Sequence, residues 1–163
     1  MKRNILYVTG LIIITAIFVQ CNSKQEQAKE YKKNVKEWRK NRMESLKSED
    51  GWLNLAGLLW LEEGKNTIGS AEESDIAFPE KAPDNLGAIY LNGDSVHFKS
   101  AEDVEVTHNG NPVRSITMKT DMEKNTTVLK HGQLKWFIID RNGKLAIRLR
   151  DLQREGIRTL PTG

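Results

Sequence analysis

The residues best placed to do chemistry lie in one strand-like run, from Leu145 to Asp151, in which apolar and charged residues alternate. Alternate side chains of an extended strand share a face, so we expect Arg148 and Arg150 to stand side by side. Two guanidinium groups in a row form a cradle for carboxylate or phosphate oxygens. The other interpretation is structural, with Asp140 and Asp151 as internal ion-pair partners of the two arginines. The sequence alone keeps both interpretations open.

A second candidate is the stretch DGWLNLAGLLWLEEGKNTIGS, residues 50–70, which is rich in Trp, Leu and Gly. Residues 52–61 contain a single polar side chain, so we expect both faces of this segment to be covered, as in a core element. This interpretation predicts that Trp52 and Trp60 are mostly buried near Trp38. If both were exposed, they would instead favour a ligand platform. The candidate ligand-binding residues are therefore Trp52, Trp60, Arg148, Arg150 and Asp151.

The sequence assigns no catalytic residue. The three histidines are His97, His108 and His131, and no two of them have the spacing of a metal-binding pair, so we expect surface histidines and predict no metal or cofactor. There is no Gly-x-Ser-x-Gly motif and no cysteine nucleophile, while a Ser–His–Asp set assembled in space stays open. The sequence therefore does not decide whether the protein is an enzyme.

The N-terminus predicts export. Lys2 and Arg3 precede an uncharged run from Ile5 to Val19, and the only cysteine, Cys21, follows this run. A short basic region and an apolar core too short to span a bilayer comfortably are typical of a signal peptide, and the cysteine makes it a lipoprotein signal. We expect residues 1–20 to be the signal peptide and Cys21 to carry the lipid; an uncleaved anchor with an ordinary cysteine is one alternative. Both place the remaining chain in the bacterial cell envelope, as a membrane-bound protein facing the periplasm or the exterior. A cytosolic protein is a third and less favoured alternative, because partners would then have to cover Ile5 to Val19.

Composition limits the class of partner. The chain has 163 residues and a formal charge of +3; without residues 1–20, which include Lys2 and Arg3, 143 residues and a charge of +1 remain. This length is enough for one domain. The basic isoelectric point comes largely from the signal peptide, so we expect no nucleic acid partner. The predicted partners are the membrane, through the N-terminal lipid, and a small molecule or envelope component whose identity the sequence does not give.

Residues 21–50 are predicted to form a tether followed by an amphipathic helix. Apolar residues recur there at three- and four-residue steps, which gives one narrow stripe that we expect to face inward. The helix should end just before Gly51. The stripe consists of Ala28, Tyr31, Val35, Trp38 and Leu46.

Residues 51–163 are predicted to form a mainly β domain. Short apolar runs are separated by turn signals, the pattern of an antiparallel meander that forms a sandwich or partial barrel. The first turn, residues 62–66, should join the strands on either side into a hairpin, and Pro112 should lie at a strand edge. Because the sequence stops soon after the arginine run, we expect the sheet to leave an edge uncovered there. The other turn signals are Asn92-Gly93, Asn109-Gly110, His131-Gly132 and Asn142-Gly143.

The order of several short motifs resembles a known family. The motifs are Trp38-Arg39-x-x-Arg42, Asp50-Gly51-Trp52-Leu53, Gly57-Leu58-x-Trp60-Leu61 and Gly64-x-Asn66-x-x-Gly69. This order is similar to the opening of the domain of unknown function 1684 family of bacterial exported proteins. The later run WFIIDRNGKLAIRLRD is similar to a strand pair of that family, with Arg148 and Asp151 at its end. The resemblance implies an exported location and a fold, and it implies no activity because the family has no settled one.

Two departures from known patterns bear on function. Members of that family continue beyond Asp151 into an Asp-Phe-Asn and an Asn-Pro-Pro-Cys segment, so we expect a β domain that is incomplete relative to the family. The stretch GKNTIGSAEESDI also resembles the opening of forkhead-associated phosphothreonine modules. Ser70 stands where those modules have an arginine, so phosphopeptide binding lacks its key cation.

Two functional hypotheses follow from these patterns. In the first, the protein is lipid-anchored and exported, and its β domain is an envelope-associated binding or structural module. In the second, it is a hydrolase-like enzyme with a site near the Trp-rich hairpin and the arginine strand, inactivated if the chain is truncated. An enzyme should bring polar groups with shifted pKa values into one pocket, whereas a module should present a surface groove.

Overall fold

The computed structural model describes the backbone of residues 2–154 and the side chains of residues 24–154. The side chain of Cys21 and residues 155–163 lie outside the described residues, so lipidation stays a prediction. The chain divides into two compact units, one of which contains the residues up to Leu46 while the other begins at Lys47.

The N-terminal unit contains a single helix, α1, which runs from Lys2 to Lys47. The backbone is helical directly after Cys21, where the sequence predicts a tether. Tyr31 and Trp38 are exposed. A single helix has no interior of its own, so the expectation that the stripe faces inward stays a prediction. In the described part of the chain, no helix is long and apolar enough to cross a membrane.

The second unit is mainly β, as the sequence predicts. Its strands are β1 (Leu55–Trp60), β2 (Gly64–Gly69), β3 (Ile76–Ala77), β4 (Gly87–Asn92), β5 (Ser95–Ser100), β6 (Thr107–His108), β7 (Asn111–Pro112), β8 (Ser115–Met118), β9 (Leu129–His131), β10 (Leu134–Arg141) and β11 (Lys144–Asp151). A 3₁₀ turn, Trp52–Asn54, precedes β1. Sheet A has the strand order β1-β11-β10-β9-β6-β7, and sheet B has the order β3-β2-β4-β5-β8. The strand pairs are antiparallel except for the short pair of β2 with β3.

The hydrophobic core lies between the two sheets. Trp136 of β10 is fully buried, and its ring meets Phe78 and Phe98 edge to face, with centroid separations of 5.6 Å and 5.9 Å. Ile68 from sheet B and Ile147 from sheet A belong to the same buried cluster. Because both sheets contribute their inner faces to one core, the domain is a β-sandwich.

The structure confirms the hairpins of β4 with β5, β6 with β7, β9 with β10, and β10 with β11. In two of the turns, Asn109 and Asn142 have left-handed φ values of 52° and 57°, and the glycine that follows each of them is left-handed as well. Two successive positive φ values define the type I′ turn, whose twist matches that of a hairpin. Pro112 lies in β7, an outermost strand of sheet A, where a missing N–H is tolerated.

Two predictions about strand pairing are wrong. β1 and β2 do not form a hairpin, because β1 pairs with β11 in sheet A and β2 pairs with β4 in sheet B. The chain crosses between the sheets, and the Asn66 side chain fixes this corner by accepting from the N–H of Glu62 at 2.9 Å and donating to its carbonyl at 2.8 Å. The arginine strand is not an edge either, since β11 lies between β1 and β10.

Gly69 lies where a loop passes closest to the end of β2, and this contact predicts a stability effect. A Cβ at Gly69 would overlap the backbone carbonyl of Asp84, which cannot rotate away. We expect Gly69→Ala to lower the free energy of unfolding by about 1–3 kcal/mol, the usual cost of overpacking. Urea denaturation of the full chain measures this loss. The control is Gly57→Ala, whose Cβ would meet only the flexible Leu59 side chain at 3.5 Å; equal losses in both variants would contradict the explanation.

Candidate functional site

The two arginines lie on the outward face of sheet A. Every second residue of β11, from Leu145 to Leu149, belongs to the core between the sheets. The residues that alternate with them, Arg148 and Arg150, therefore point away from sheet B. The row of guanidinium groups expected from the sequence is formed, and it faces outward.

The strands on either side of β11 add apolar side chains to this surface. In the register of β1 with β11, Leu58 is opposite Arg148 and Trp60 is opposite Ala146. On the other side, Phe137 of β10 is also opposite Arg148. Residues paired in this way project from the same face of the sheet. The Arg–Trp face is the surface formed by Leu58, Trp60, Phe137, Arg148 and Arg150.

Both tryptophans of the candidate set are exposed, so the expectation that they are buried is wrong. Trp52 is 74% exposed and Trp60 is 49% exposed, and Leu58 between them in sequence is 44% exposed. Trp60 and Leu58 belong to an edge strand and point away from the core, while Trp52 lies in the 3₁₀ turn before that strand. Exposed apolar side chains grouped on one surface are typical of interaction sites. The exposure thus favours a ligand platform over a core element.

Arg148 is the unpaired cation of the Arg–Trp face. Its side chain is partly buried, and it makes no hydrogen bond or ion pair with any residue that the structure describes. Its cross-strand neighbours are apolar on both sides, Leu58 and Phe137. A guanidinium group carries five N–H donors. Those of Arg148 are available to an incoming acceptor.

Arg150 is bound to the backbone rather than to a carboxylate. Its Nη1 donates to the carbonyl oxygen of Gly51 at 2.6 Å, which brings the turn that carries Trp52 beside the Arg–Trp face. Its Nε–H is buried and has no acceptor within the described residues. Burial lowers the pKa of Arg150 from its usual value, nearby Asp50 raises it, and the charge of Arg148 lowers it. An arginine stays protonated despite such a shift, so two cations share this surface.

The aspartates expected as partners of the arginines point elsewhere. Asp151 is buried on the core side of β11 and accepts a hydrogen bond from Nζ of Lys81 at 2.7 Å. Asp140 accepts from the N–H of Gly143 at 2.8 Å in the hairpin turn. The structural interpretation of the arginines as partners of Asp140 and Asp151 is therefore wrong. Strand alternation is the reason, because Asp151 shares a face with Leu149 and not with the arginines.

Two lysines continue the positive charge past Arg150. Lys135 of β10 is opposite Arg150 on one side and Lys130 of β9 on the other. Nζ of Lys135 is 2.8 Å from Oδ1 of Asp50, and Nζ of Lys130 is 2.9 Å from Oε2 of Glu49. The hydrogen bond from Lys130 is the main cause of a pKa of Glu49 below its usual value, and the bond from Lys135 has the same effect on the pKa of Asp50. Both carboxylates are thus engaged by lysines.

Leu58, Phe137 and Lys135 also belong to this region, although the sequence does not predict them as site residues. These side chains lie beside the arginines only because β1 and β10 pair with β11 in a particular register, and β1 is distant from β11 in sequence. One local signal pointed to Lys135, since it interrupts the apolar run Leu134 to Ile139 at a position that alternates with Trp136.

The histidines lie outside the Arg–Trp face. His97 is on the outward face of sheet B, with Nε2 2.6 Å from Oγ of Ser115 and Nδ1 3.3 Å from Oγ1 of Thr117. No carboxylate contacts His97 within the described chain, so this contact lacks the acid of a Ser–His–Asp set. His108 and His131 each contact a backbone carbonyl. Among the described residues, no cluster of His, Cys, Asp and Glu is arranged to hold a metal ion.

Comparison with known proteins identifies no family for the chain. No protein-family model matches it, and neither does any curated protein. Its resemblance to the domain of unknown function 1684 family therefore stays a prediction.

Several solved structures are similar to part of the chain. One is a forkhead-associated (FHA) domain studied for phosphothreonine-dependent interactions, at a TM-score of 0.38 and 18% identity over 55% of this chain and 79% of that one. Another is the N-terminal FHA domain of EssC, a component of the bacterial type VII secretion apparatus. Its TM-score is 0.45 and its sequence identity is 9%, over 60% of this chain and 46% of that one. A third is the FHA-2 domain of a Mycobacterium tuberculosis ABC transporter. Its TM-score is 0.38 and its sequence identity is 21%, over 54% of this chain and 77% of that one. These scores support no inference about function.

The ion pair of Asp50 with Lys135 predicts a pH-dependent contribution to stability. The pKa of Asp50 lies below its usual value of 3.8. The stabilising contribution is therefore fully present above pH 3.8, and it is lost as the pH falls through the lower pKa that Asp50 has in the folded protein. We expect Asp50→Asn to lower the free energy of unfolding by up to about 1 kcal/mol near neutral pH, a small effect because Asp50 is exposed to solvent. Denaturant unfolding at neutral and at acidic pH measures the difference, which should shrink in acid.

The control for this measurement is Asp103→Asn. Asp103 is exposed and has no hydrogen-bond partner in the described chain, so its replacement should leave stability unchanged at both pH values. A loss for Asp50→Asn that is the same in acid as at neutral pH would contradict the electrostatic explanation.

Proposed function

We propose that the β domain is a binding module whose Arg–Trp face takes an organic anion, that is, a carboxylate or phosphate joined to an apolar group. The observation that carries the proposal is the guanidinium of Arg148, which is partly buried and has no acceptor among the described residues. An anionic oxygen of the ligand would supply that acceptor. The proposal keeps Trp52, Trp60 and Arg150 as candidate site residues and leaves out Asp151, which faces the core.

The charge around the face favours an anion. Glu49 and Asp50 both bind lysines, and neither makes an ion pair with Arg148. The Nε–H of Arg150 is buried and its Nη1 donates to Gly51, so the guanidinium of Arg148 is the donor group that a ligand on this surface can reach. A hydrogen bond to a charged group contributes about 1.5–3 kcal/mol. The Arg148 guanidinium can make two such bonds to one carboxylate or phosphate, which would be enough to bind a small anion weakly.

The apolar side chains favour a ligand that is more than an inorganic ion. Trp60 and Leu58 lie on the same face as Arg148 and are both exposed, so a hydrocarbon portion attached to the anionic group would cover them. Burial of apolar surface contributes about 25 cal/mol per Å². The indole of Trp60 is the largest apolar side chain of the Arg–Trp face.

The hydrolase-like alternative gains little from the same geometry. A general acid or base works best with a pKa near the operating pH. The shifted acids beside the Arg–Trp face, Glu49 and Asp50, have pKa values moved further below neutrality by their lysine partners. The contact of Ser115 with His97 belongs to sheet B and has no carboxylate partner in the described chain. A binding role fits these groups better than proton transfer.

We propose further that this module is exported and held at the bacterial cell envelope by a lipid on Cys21. Support comes from the sequence: the basic start, the uncharged run from Ile5 to Val19 and the cysteine that follows. The resemblance to the domain of unknown function 1684 family supports the same location. In that setting the ligand of the Arg–Trp face would be a small molecule or another component of the envelope.

The anion proposal is tested with hexanoate and hexyl phosphate as probes. We expect both to bind the full chain and the variants Arg148→Leu and Trp60→Ala to weaken binding, the first by about tenfold to a hundredfold because a charged hydrogen bond is lost. Isothermal titration calorimetry measures the affinities. Uncharged 1-hexanol and inorganic phosphate should each bind more weakly than the combined probe.

The matched control is Arg141→Leu. Arg141 is an exposed arginine at the far end of β10, where it binds Asp121 at 2.9 Å, so its loss should not change the affinity. Equal weakening by Arg141→Leu and Arg148→Leu would show a general charge effect and refute the site. Failure of both anions to bind the unaltered protein would refute it too.

The anchoring proposal predicts that Cys21→Ser releases the protein from the membrane. Serine removes the thiol to which the lipid would be attached, and one lipid-bearing residue is the whole of the proposed anchor. Fractionation of cells that express the full chain, with immunodetection in membrane and released fractions, measures the change. Unchanged retention of Cys21→Ser in the membrane fraction is the result that would contradict lipid anchoring.

A further inference from the structure

A concave surface lies on the outward face of sheet B. It is an open depression of about 370 Å³, within the range of roughly 300–1,000 Å³ that is usual for small-ligand sites. Ala88 of β4 forms its floor, between Thr67 of β2 and Lys99 of β5. A single methyl group between longer side chains leaves this part of the sheet low.

The wall of the depression is fixed to the sheet by hydrogen bonds. The N–H groups of Ser70 and Ala71 donate to the carbonyl oxygens of Pro83 and Asp84 at 2.9 Å and 3.3 Å. The Ser70 hydroxyl also donates to Oδ1 of Asp84 at 3.1 Å. Two loops are thereby joined into one wall beside the floor. A wall formed in advance reduces the entropy lost when a ligand binds.

Several polar side chains around the depression make no hydrogen bond within the described chain. Lys65 and Lys99 are donors, Glu73 is an acceptor, and the Asn85 amide is both. Glu73 and Asp84 match the two lysines in number, and Asp75, which accepts from the Thr67 hydroxyl at 2.6 Å, adds a negative charge beside them. The depression therefore differs from the Arg–Trp face, because it offers donors and acceptors together and has no excess of positive charge.

Tyr90 adds an aromatic ring to this set. Its side chain is 39% exposed and lines the depression next to Ala88 on the same strand face. We propose that this depression, the Tyr90 site, binds a neutral sugar ring. A pyranose has a face of C–H groups that packs on an aromatic ring, and a rim of hydroxyl groups that both donate and accept hydrogen bonds.

Other ligand classes fit the Tyr90 site less well. An anion would be attracted by Lys65 and Lys99 but repelled by Glu73 and Asp84. A purely apolar ligand would remove these polar groups from water and give them no hydrogen bonds in return. The site is separate from the Arg–Trp face in sheet A, so it stands or falls independently of the anion proposal.

The experiment uses maltose, cellobiose and N,N′-diacetylchitobiose as probes. Each is titrated into the full chain while backbone amide NMR signals are followed. We expect at least one of them to shift the signals of residues around Tyr90 in a saturable way. Tyr90→Ala should weaken this binding by about tenfold or more through loss of the stacked ring, whereas Tyr90→Phe should retain most of it. Glu73→Gln should also weaken binding, because it removes a charged acceptor.

Met122→Ala is the control, since Met122 is an exposed apolar residue of the β domain that does not line the Tyr90 site, so its loss should not affect the affinity. Circular dichroism shows that each variant is folded. The proposal is overturned if none of the three sugars shifts these signals at tens of millimolar. It is also overturned if a sugar binds Tyr90→Ala as tightly as the unaltered protein, because the ring would then play no part.

Discussion

The alternation of strand β11 is the constraint on which the candidate site depends. Apolar and charged residues alternate along β11, so its arginines must face outward when its Leu and Ile side chains fill the core. The same alternation turns Asp151 inward, where Lys81 binds it. Arg148 is consequently separated from the acid nearest to it in sequence. Its lack of a counter-ion in the described chain follows from the geometry of the strand.

Ion pairs near the site also leave Arg148 without an acidic partner. Lys130 and Lys135 lie beyond Arg150 on the same face, and they engage the carboxylates that precede the first strand. Arg150 itself is occupied by a backbone carbonyl. Positive charge is therefore compensated at one end of the row and left uncompensated at Arg148, next to the exposed Trp60. An anion with an apolar group would neutralise Arg148 and cover Trp60 at the same time.

Local features were predictable from the sequence, and features that depend on register were not. The turns at Asn109 and Asn142 were predictable because two residues with positive φ determine a hairpin by themselves. The crossing of the chain from β1 to sheet B was not predictable, because it depends on the pairing of β1 with β11, about ninety residues later in the sequence. The exposure of Trp60 was missed for the same reason, since apolar composition does not tell which strand lies at an edge. The orientation of Asp151 was within reach of the sequence, because adjacent strand residues point to opposite faces.

The central claim is that the Arg148 guanidinium is a free donor that an organic anion accepts. The most direct measurement follows the side-chain Nε–H NMR signals of the arginines in the full chain during titration with hexyl phosphate, with the Arg148 signal assigned by its absence in Arg148→Leu. We expect the Arg148 signal to move most, in a saturable way, while that of Arg141 stays in place. Saturable binding that leaves the Arg148 signal unmoved would contradict the claim.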